Sequence, residues 1–342
     1  MNKIKKWIIV SLLISVFSGI IVVLFTFDSG TIHALMGIKP EYILAAAVIH
    51  AMTYVIWGMR TRSLCKALGY NVSHIKSFEI VTSATLAASI TPSSLGGEPL
   101  RIHLLHGQKM PLGKATAVVL GERVLDGILI LTLAPFSIYV IRGVLKDSVF
   151  DFMFIFAEAG LMFILFLILY AIWRPGPTKK VVYFFVHWLA PILGKKTDAA
   201  FDVFIKRVDS ELDNFHGSIS VLLNEGRKGL AFGIFYTLAF WFVDFSMLYV
   251  ILIGLNQHPD PILVFASQVI TMIIILIPAT PGGSGIAEFA GTTLFSLFVS
   301  SSVLGIAVIA WRAFTFYMNI LVGGFVSFKI LKDTDFIKKY LN

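Results

Sequence analysis

Two strongly apolar regions of this chain are broken by turn signals at corresponding places, and that pattern narrows the folds open to it. Thr91-Pro92 aligns with Thr280-Pro281, Gly96 with Gly285 and Arg123 with Arg312, each pair 189 residues apart. Thr91 to Glu98 reads Thr-Pro-Ser-Ser-Leu-Gly-Gly-Glu, and Thr280 to Glu288 reads Thr-Pro-Gly-Gly-Ser-Gly-Ile-Ala-Glu. In each copy an arginine follows the glutamate by about 25 residues, inside the next apolar run. Paired broken segments in the two halves of a membrane protein point to the central binding site of a transporter.

Composition agrees with a membrane setting. Hydrophobic residues make up 57% of the chain and charged residues only 14%, against roughly 25% charged in a soluble domain. The sequence therefore predicts an all-α polytopic membrane protein, with residues 1–342 forming one membrane domain. The net charge of +8 is carried between apolar runs, where basic residues set topology and meet anionic lipid, so no nucleic-acid partner is expected. The single cysteine, Cys65, excludes an intramolecular disulfide and a multi-thiolate metal site. Lys3, Lys5 and Lys6 precede an apolar stretch from Trp7 to Phe27. That stretch is the length of a span and lacks a small-x-small cleavage site, so it reads as a first membrane helix rather than a signal peptide.

Full spans are expected near 8–27, 41–59, 114–141, 154–172, 229–254 and 303–328. The broken regions, about 77–107 and 262–300, are expected as re-entrant hairpins, because Pro removes a helical donor and Gly admits unusual backbone angles. With the N-terminus inside, the cytoplasmic segments hold 23 of the 28 Lys and Arg, while the outer loops hold Lys39, Arg142 and Lys146. That asymmetry satisfies the positive-inside rule, with both termini cytoplasmic in a multi-pass plasma-membrane protein. The unit of span, hairpin and span then runs 41–141 in one direction and 229–328 in the other. The two form an inverted-topology pair whose breaks can meet near the bilayer midplane. Between them, 173–228 is too polar to span. Phe201, Phe204, Ile205, Val208, Leu212, Phe215, Ile219 and Leu222 recur at helical spacing there, as in an amphipathic cytoplasmic connector. The short apolar stretch 181–193 reads as interfacial.

Arg123 and Arg312 are the residues whose placement most needs explaining. An arginine near the middle of a membrane helix costs about 2.5–3.5 kcal/mol on insertion scales, so it needs a partner or a wet cavity. Arg123 has Glu122 beside it and Asp126 three residues on, which allows a purely structural ion pair. The recurrence at Arg312, with no acid nearby in sequence, favours the other reading, coordination of a phosphate by the guanidinium fork. Glu98 and Glu288 follow their breaks, where a carboxylate suits a helix N-terminus. The alternative is that they pair with the arginines or carry a coupling proton or sodium. Backbone amides at Gly96, Gly97, Gly282, Gly283 and Gly285 are candidates for cradling an anion. Asp126 is a candidate ion-pair partner or proton carrier, as is Asp244, the one acid in its span. Glu158 sits at a span edge, and His50 and His187 read as satisfied bundle histidines.

Energy-coupling and catalytic motifs are lacking. Gly107 to Ala115 approximates a phosphate loop, but its spacing is one too long and no Ser or Thr follows Lys114. There is no His-Glu-x-x-His and no Gly-x-Ser-x-Gly, so no metal, cofactor or enzymatic activity is expected.

The strings Pro92-Ser-Ser-Leu-Gly-Gly-Glu98-Pro-Leu-Arg101, Gly121-Glu-Arg-Val-Leu-Asp126 and Pro278-Ala-Thr-Pro-Gly-Gly-Ser-Gly-Ile-Ala-Glu288 resemble the membrane region of the lysylphosphatidylglycerol synthase/flippase family over nearly the whole chain. In bifunctional members of that family this region is associated with moving aminoacylated phospholipid between leaflets, and a soluble domain performs the aminoacyl transfer. That domain has no counterpart in this sequence, which removes the case for lysine transfer and leaves the headgroup open. The resemblance implies lipid translocation, attached to Glu98, Arg101, Glu122, Arg123, Asp126 and Glu288. The expected cargo is an anionic lipid: phosphatidylglycerol-like, aminoacylated or a polyprenyl phosphate. A homodimer or a separate lipid-modifying enzyme are the candidate protein partners. The competing readings are a small-anion carrier, a membrane-embedded enzyme acting on lipid phosphates with a metal at Glu122 and Asp126, and a non-transporting partner of a glycosyltransferase or aminoacyl synthetase.

Overall fold

The computed structural model describes residues 3–91, 96–145, 226–275, 280 and 282–333, with scattered positions between 159 and 224. The expected span at 154–172 and the connector at 173–228, with its stretch 181–193, lie almost wholly outside the described residues, as do Glu158 and His187. Among the described residues every element is a helix.

Helix α1 (Lys3–Thr26) ends where a new helix is capped. The Asp28 carboxylate accepts from the Thr31 amide at 3.0 Å, and the Asp28 amide donates to the Thr31 hydroxyl at 3.0 Å. This reciprocal cap starts α2 (Ser29–Met36), and the two axes meet at 114°. Helix α3 (Pro40–Ala67) begins with proline at its first turn, where a missing amide costs nothing. It runs eight residues past the end expected at 59.

The first broken region consists of α4 (His74–Ile90) and α5 (Gly97–His106). Ser73 caps α4, its hydroxyl accepting from the Lys76 amide at 3.2 Å. Thr91 then leaves helical geometry and joins the two arms. Its hydroxyl donates to the Ala87 carbonyl at 2.7 Å and accepts from the Gly96 amide at 2.8 Å. Gly97 lets α5 lie close against α4, since a Cβ there would sit 3.2 Å from the Ala84 carbonyl. Helix α6 (Leu112–Leu145) follows. At 34 residues it is about 50 Å long and exceeds the roughly 30 Å of hydrocarbon.

The second half has the same order. Helix α7 (Arg227–Gly254) is a long apolar helix, and α8 (Pro261–Ile275) and α9 (Ile286–Phe295) flank the second break. Helix α10 (Ser301–Arg312) passes through a π-helical turn (Ala313–Met318) into α11 (Asn319–Asp333). Pro40–Ala67, Leu112–Val144, Arg227–Gly254 and Ser301–Ile330 are each long and apolar enough to cross a membrane. The bent α1–α2 pair makes a fifth candidate if counted as one span.

Packing interleaves the halves. Helix α3 lies antiparallel to α7, with the Lys39 amide on the Gly254 carbonyl at 3.0 Å at one end and the Ser63 hydroxyl on the Gly229 carbonyl at 3.2 Å at the other. The α4 arm packs on α11, and the α8 arm packs on α6. Lys329 reaches Glu79 at 3.0 Å to tie α11 to α4. Large apolar side chains such as Phe25, Phe136, Phe242, Phe289 and Phe325 remain exposed around the outside, as a lipid-facing surface requires.

The two breaks touch. The Gly282 amide donates to the Thr91 carbonyl at 3.1 Å. Gly282 has φ +57°, and a Cβ there would lie 2.4 Å from the Ser89 carbonyl oxygen and 2.7 Å from the Phe316 ring. Both the backbone angle and the space therefore demand glycine. Gly282→Ala is expected to cost at least about 2 kcal/mol, seen as a lower melting temperature of the purified protein. Gly324→Ala, where a Cβ meets nothing within 4 Å, is the matched control and should leave stability unchanged or raised. Equal melting of the two variants would show that the contact between the breaks does not hold the fold.

Candidate functional site

Each break carries a glutamate, and each glutamate holds the arginine of the span that follows. Arg123 Nε lies 2.7 Å from Glu98 Oε1 in an ion pair, and Arg312 Nε donates to Glu288 Oε1 at 3.0 Å. The repeat that is legible in the sequence is thus a repeat of the contact, formed through the same nitrogen in both halves. The surroundings differ. The Arg123 side chain is 41% exposed and Glu98 20%, whereas Arg312 and Glu288 are 5% and 2% exposed.

The first pair belongs to a larger cluster at the junction of α3, α5, α6 and α7. Glu122, fully buried, accepts from Arg101, from Arg60 at 3.4 Å, from the Thr61 hydroxyl at 2.7 Å and from the Trp57 indole at 2.9 Å. Asp126 accepts from Arg60 at 2.6 Å, from the Trp241 indole at 2.9 Å and from Arg123 at 3.4 Å. Arg60 also donates to the Thr237 hydroxyl at 3.2 Å. The Trp57 ring carries two guanidinium groups, Arg101 at 4.9 Å and Arg123 at 5.5 Å from its centroid. Three arginines therefore meet three acids, Glu98, Glu122 and Asp126. The neutral balance explains how so many charges are tolerated in an apolar bundle.

The second cluster is smaller. Glu288 accepts from the Ser15 hydroxyl at 2.6 Å and, at its other oxygen, from the Gly285 amide at 2.7 Å. Ser15 also meets the Tyr317 hydroxyl at 3.1 Å, and the Arg312 guanidinium lies 4.4 Å from the Phe316 ring centroid. Tyr317 and Phe316 both lie on the π turn that begins immediately after Arg312. Such turns recur at functional sites.

Several sequence expectations need correction here. Arg123 does not pair with its neighbour Glu122, which faces Arg60 and Arg101 instead. Arg60 and Arg101 stand among the 23 basic residues expected in cytoplasmic segments, yet both are buried inside the bundle and drop out of the loop-charge count. Four of the five candidate glycine amides are already engaged. Gly96 donates to the Thr91 hydroxyl, Gly282 to the Thr91 carbonyl, Gly283 to the Thr280 carbonyl and Gly285 to Glu288. Gly97 serves packing. The open donors are on arginines: Arg101 Nε and Nη1, Arg60 Nε and Arg312 Nη2 are buried without a hydrogen-bond partner among the described residues.

His50 bonds the Tyr54 hydroxyl at 3.0 Å, and Tyr54 donates to Asn319 at 2.5 Å. Asp244 makes no hydrogen bond or ion pair with a described residue. Ser15 and Arg60 were missed by sequence reasoning. Ser15 carries no local signal, whereas an arginine at the edge of an apolar run was a signal that could have been weighed. Among the described residues no three His, Cys, Asp or Glu side chains gather as metal ligands. Glu122 is already surrounded by four donors.

The family model for the lysylphosphatidylglycerol synthase TM region matches residues 8–323. The chain belongs to this family. It is similar to a UPF0104 membrane protein of Archaeoglobus fulgidus, 30% identical over 87% of this chain and 89% of that protein. A UPF0104 membrane protein of Methanocaldococcus jannaschii is 24% identical over 88% of each chain. Glycosyltransferase AglD of Haloferax volcanii is 23% identical over 84% of this chain, which covers 48% of that longer protein. Family membership makes this a membrane protein, and the buried charges around Glu122 and Glu288 take their partners from within the bundle.

Proposed function

We propose that this protein moves an anionic, phosphate-bearing lipid between leaflets. The observation that carries the reading is the duplicated glutamate–arginine pair at two breaks in direct contact, with buried guanidinium donors left open beside each. Membership of a lipid-associated membrane family supports it. A guanidinium fork matches the geometry of a phosphate with two parallel hydrogen bonds.

The helix packing supports an inverted repeat. Exchanging α3 with α7, α4 with α8, α5 with α9 and α6 with the α10–α11 span turns each packed pair among these helices into another packed pair. In this reading the N-terminus is cytoplasmic, the protein lies in the plasma membrane, and the two hairpins reach the midplane from opposite faces.

Charge balance constrains the mechanism. Each cluster is neutral, so a phosphate that takes the place of the glutamate on Arg123 or Arg312 releases Glu98 or Glu288. A released carboxylate in a dry site needs a proton or a sodium ion. That requirement is the physical basis for ion coupling, and the half-exposed Glu98–Arg123 pair is where the headgroup enters.

The test is a leaflet-accessibility assay in proteoliposomes with labelled phosphatidylglycerol, phosphatidylcholine and a polyprenyl phosphate. Translocation of an anionic lipid is expected from wild type and is expected to be lost in a folded Arg123→Ala/Arg312→Ala variant. Unchanged transport in that variant would sink the reading. Similarity to part of a longer protein named as a glycosyltransferase favours a second reading, in which the chain serves a separate enzyme of that class. Co-purification with such an enzyme, and silence for all three lipids alone, would support it.

A further inference from the structure

A groove of about 510 Å³ opens between α6, α7 and α8, with Leu133, Phe136, Phe242, Phe245, Phe265 and Ala266 along its walls. We propose that it holds one hydrocarbon chain of the lipid whose phosphate the arginine cluster binds. This inference rests on the lipid reading above and adds where the tail goes.

Three observations carry it. The groove lies next to the charged cluster. Trp241 donates to Asp126 at 2.9 Å, its ring lies 5.2 Å from Phe245, and Phe245 lies 6.0 Å from Phe265. One layer of packed aromatic rings thus separates the headgroup residues from the groove wall. The groove also runs along the helices as a chain would. Its lining covers 242–249 of α7 and 261–269 of α8, roughly 10–12 Å of helix, about a third of the hydrocarbon core. Finally, its lining offers nothing polar to a ligand beyond Tyr249 at one end. The Ser137 and Ser246 hydroxyls are turned back onto the Leu133 and Phe242 carbonyls at 2.9 and 2.7 Å.

The floor is buried while the rim is open: Phe245 and Ala266 are 2% exposed, Phe242 66% and Phe136 54%. A volume of this size falls within the range of ordinary ligand sites. The seam lies between α6 of the first repeat and α7 and α8 of the second, so a tail seated there stays with its headgroup while the rim faces the bilayer. Moving a chain from lipid into an apolar groove yields little hydrophobic gain. The groove therefore orients the lipid, and selectivity comes from the arginines.

The experiment uses the full-length protein in vesicles containing phosphatidylglycerol or phosphatidylcholine with the same photoactivatable diazirine chain. Labelled peptides are then mapped. The phosphatidylglycerol probe is expected to label the groove walls at 133–137 and 242–249 roughly tenfold more than the phosphatidylcholine probe, whose choline cation cancels the phosphate charge beside the arginines. Ala266→Trp, which fills the floor, should reduce that labelling severalfold and leave labelling near the outward Phe325 unchanged. Ser246→Trp at the rim gives a second test should the floor variant misfold. Equal labelling by both probes would overturn the proposal and make the groove ordinary lipid-facing surface. Crosslinks there between two copies of the chain would overturn it in favour of a subunit interface. Selective labelling without translocation would refute the transport reading alone. Translocation without selective labelling would refute the groove alone.

Discussion

Glu122→Ala is expected to cost about 3–5 kcal/mol of stability, the price of leaving buried charge unpaired, and to lower the apparent melting temperature by roughly 5–10 °C. Glu122 sits under Arg60, Arg101, Thr61 and Trp57 with no exposure of its own. Its removal leaves two buried guanidinium groups with only Asp126 to balance them. Glu122→Gln keeps the shape and should recover little, because charge is what is missing. Arg101→Met/Glu122→Leu removes one positive and one negative group together, and the Arg60–Asp126 pair at 2.6 Å remains. That double variant should regain most of the loss, since replacing a buried pair by apolar groups of similar volume is often neutral. Fluorescence-monitored melting in detergent checks all three. If Glu122→Ala melted with wild type, the cluster would have no part in holding α3, α5, α6 and α7 together.

Arg312→Ala and Arg123→Ala should abolish lipid translocation alike and yet differ sharply in stability. The Glu288–Arg312 pair is nearly inaccessible to water and the Glu98–Arg123 pair is not. Breaking the buried pair leaves Glu288 charged in an apolar site, for about 3–5 kcal/mol. Breaking the exposed pair leaves Glu98 partly solvated and Asp126 still bound by Arg60, for about 1 kcal/mol or less. Glu288→Gln in the Arg312→Ala background should restore stability without restoring transport. Restored transport in that double variant would mean that Arg312 acts only as a structural counter-ion. Equal melting of the two single variants would mean that burial does not separate the two halves.

The repeated features were legible because they are local. A Thr-Pro pair, a following glycine, a glutamate and an arginine one helix later can be read from spacing alone, and the structure builds the same glutamate–arginine contact twice from them. Long apolar runs likewise announced α3, α6, α7 and the α10–α11 span, with ends shifted by up to eight residues. Arg60 shows where that reading stops. A hydropathy window averages over many side chains, so a charge at the edge of an apolar run reads as the start of a loop. Whether the helix continues depends on partners 62 and 66 residues away in sequence, Glu122 and Asp126.

The sequence by itself determined that this chain is a helical membrane protein with two broken segments, each followed by an arginine that has to be explained. Tertiary structure alone decided what satisfies those arginines and what closes the breaks. It brought Ser15 of the first helix onto Glu288, turned Glu122 away from Arg123 toward Arg60 and Arg101, and set the Gly282 amide on the Thr91 carbonyl. The physical reason is the apolar surroundings. Where little water can screen a charge or satisfy a donor, each polar group must find a specific partner, and that partner is chosen by which helices pack together rather than by which residues are neighbours in the chain.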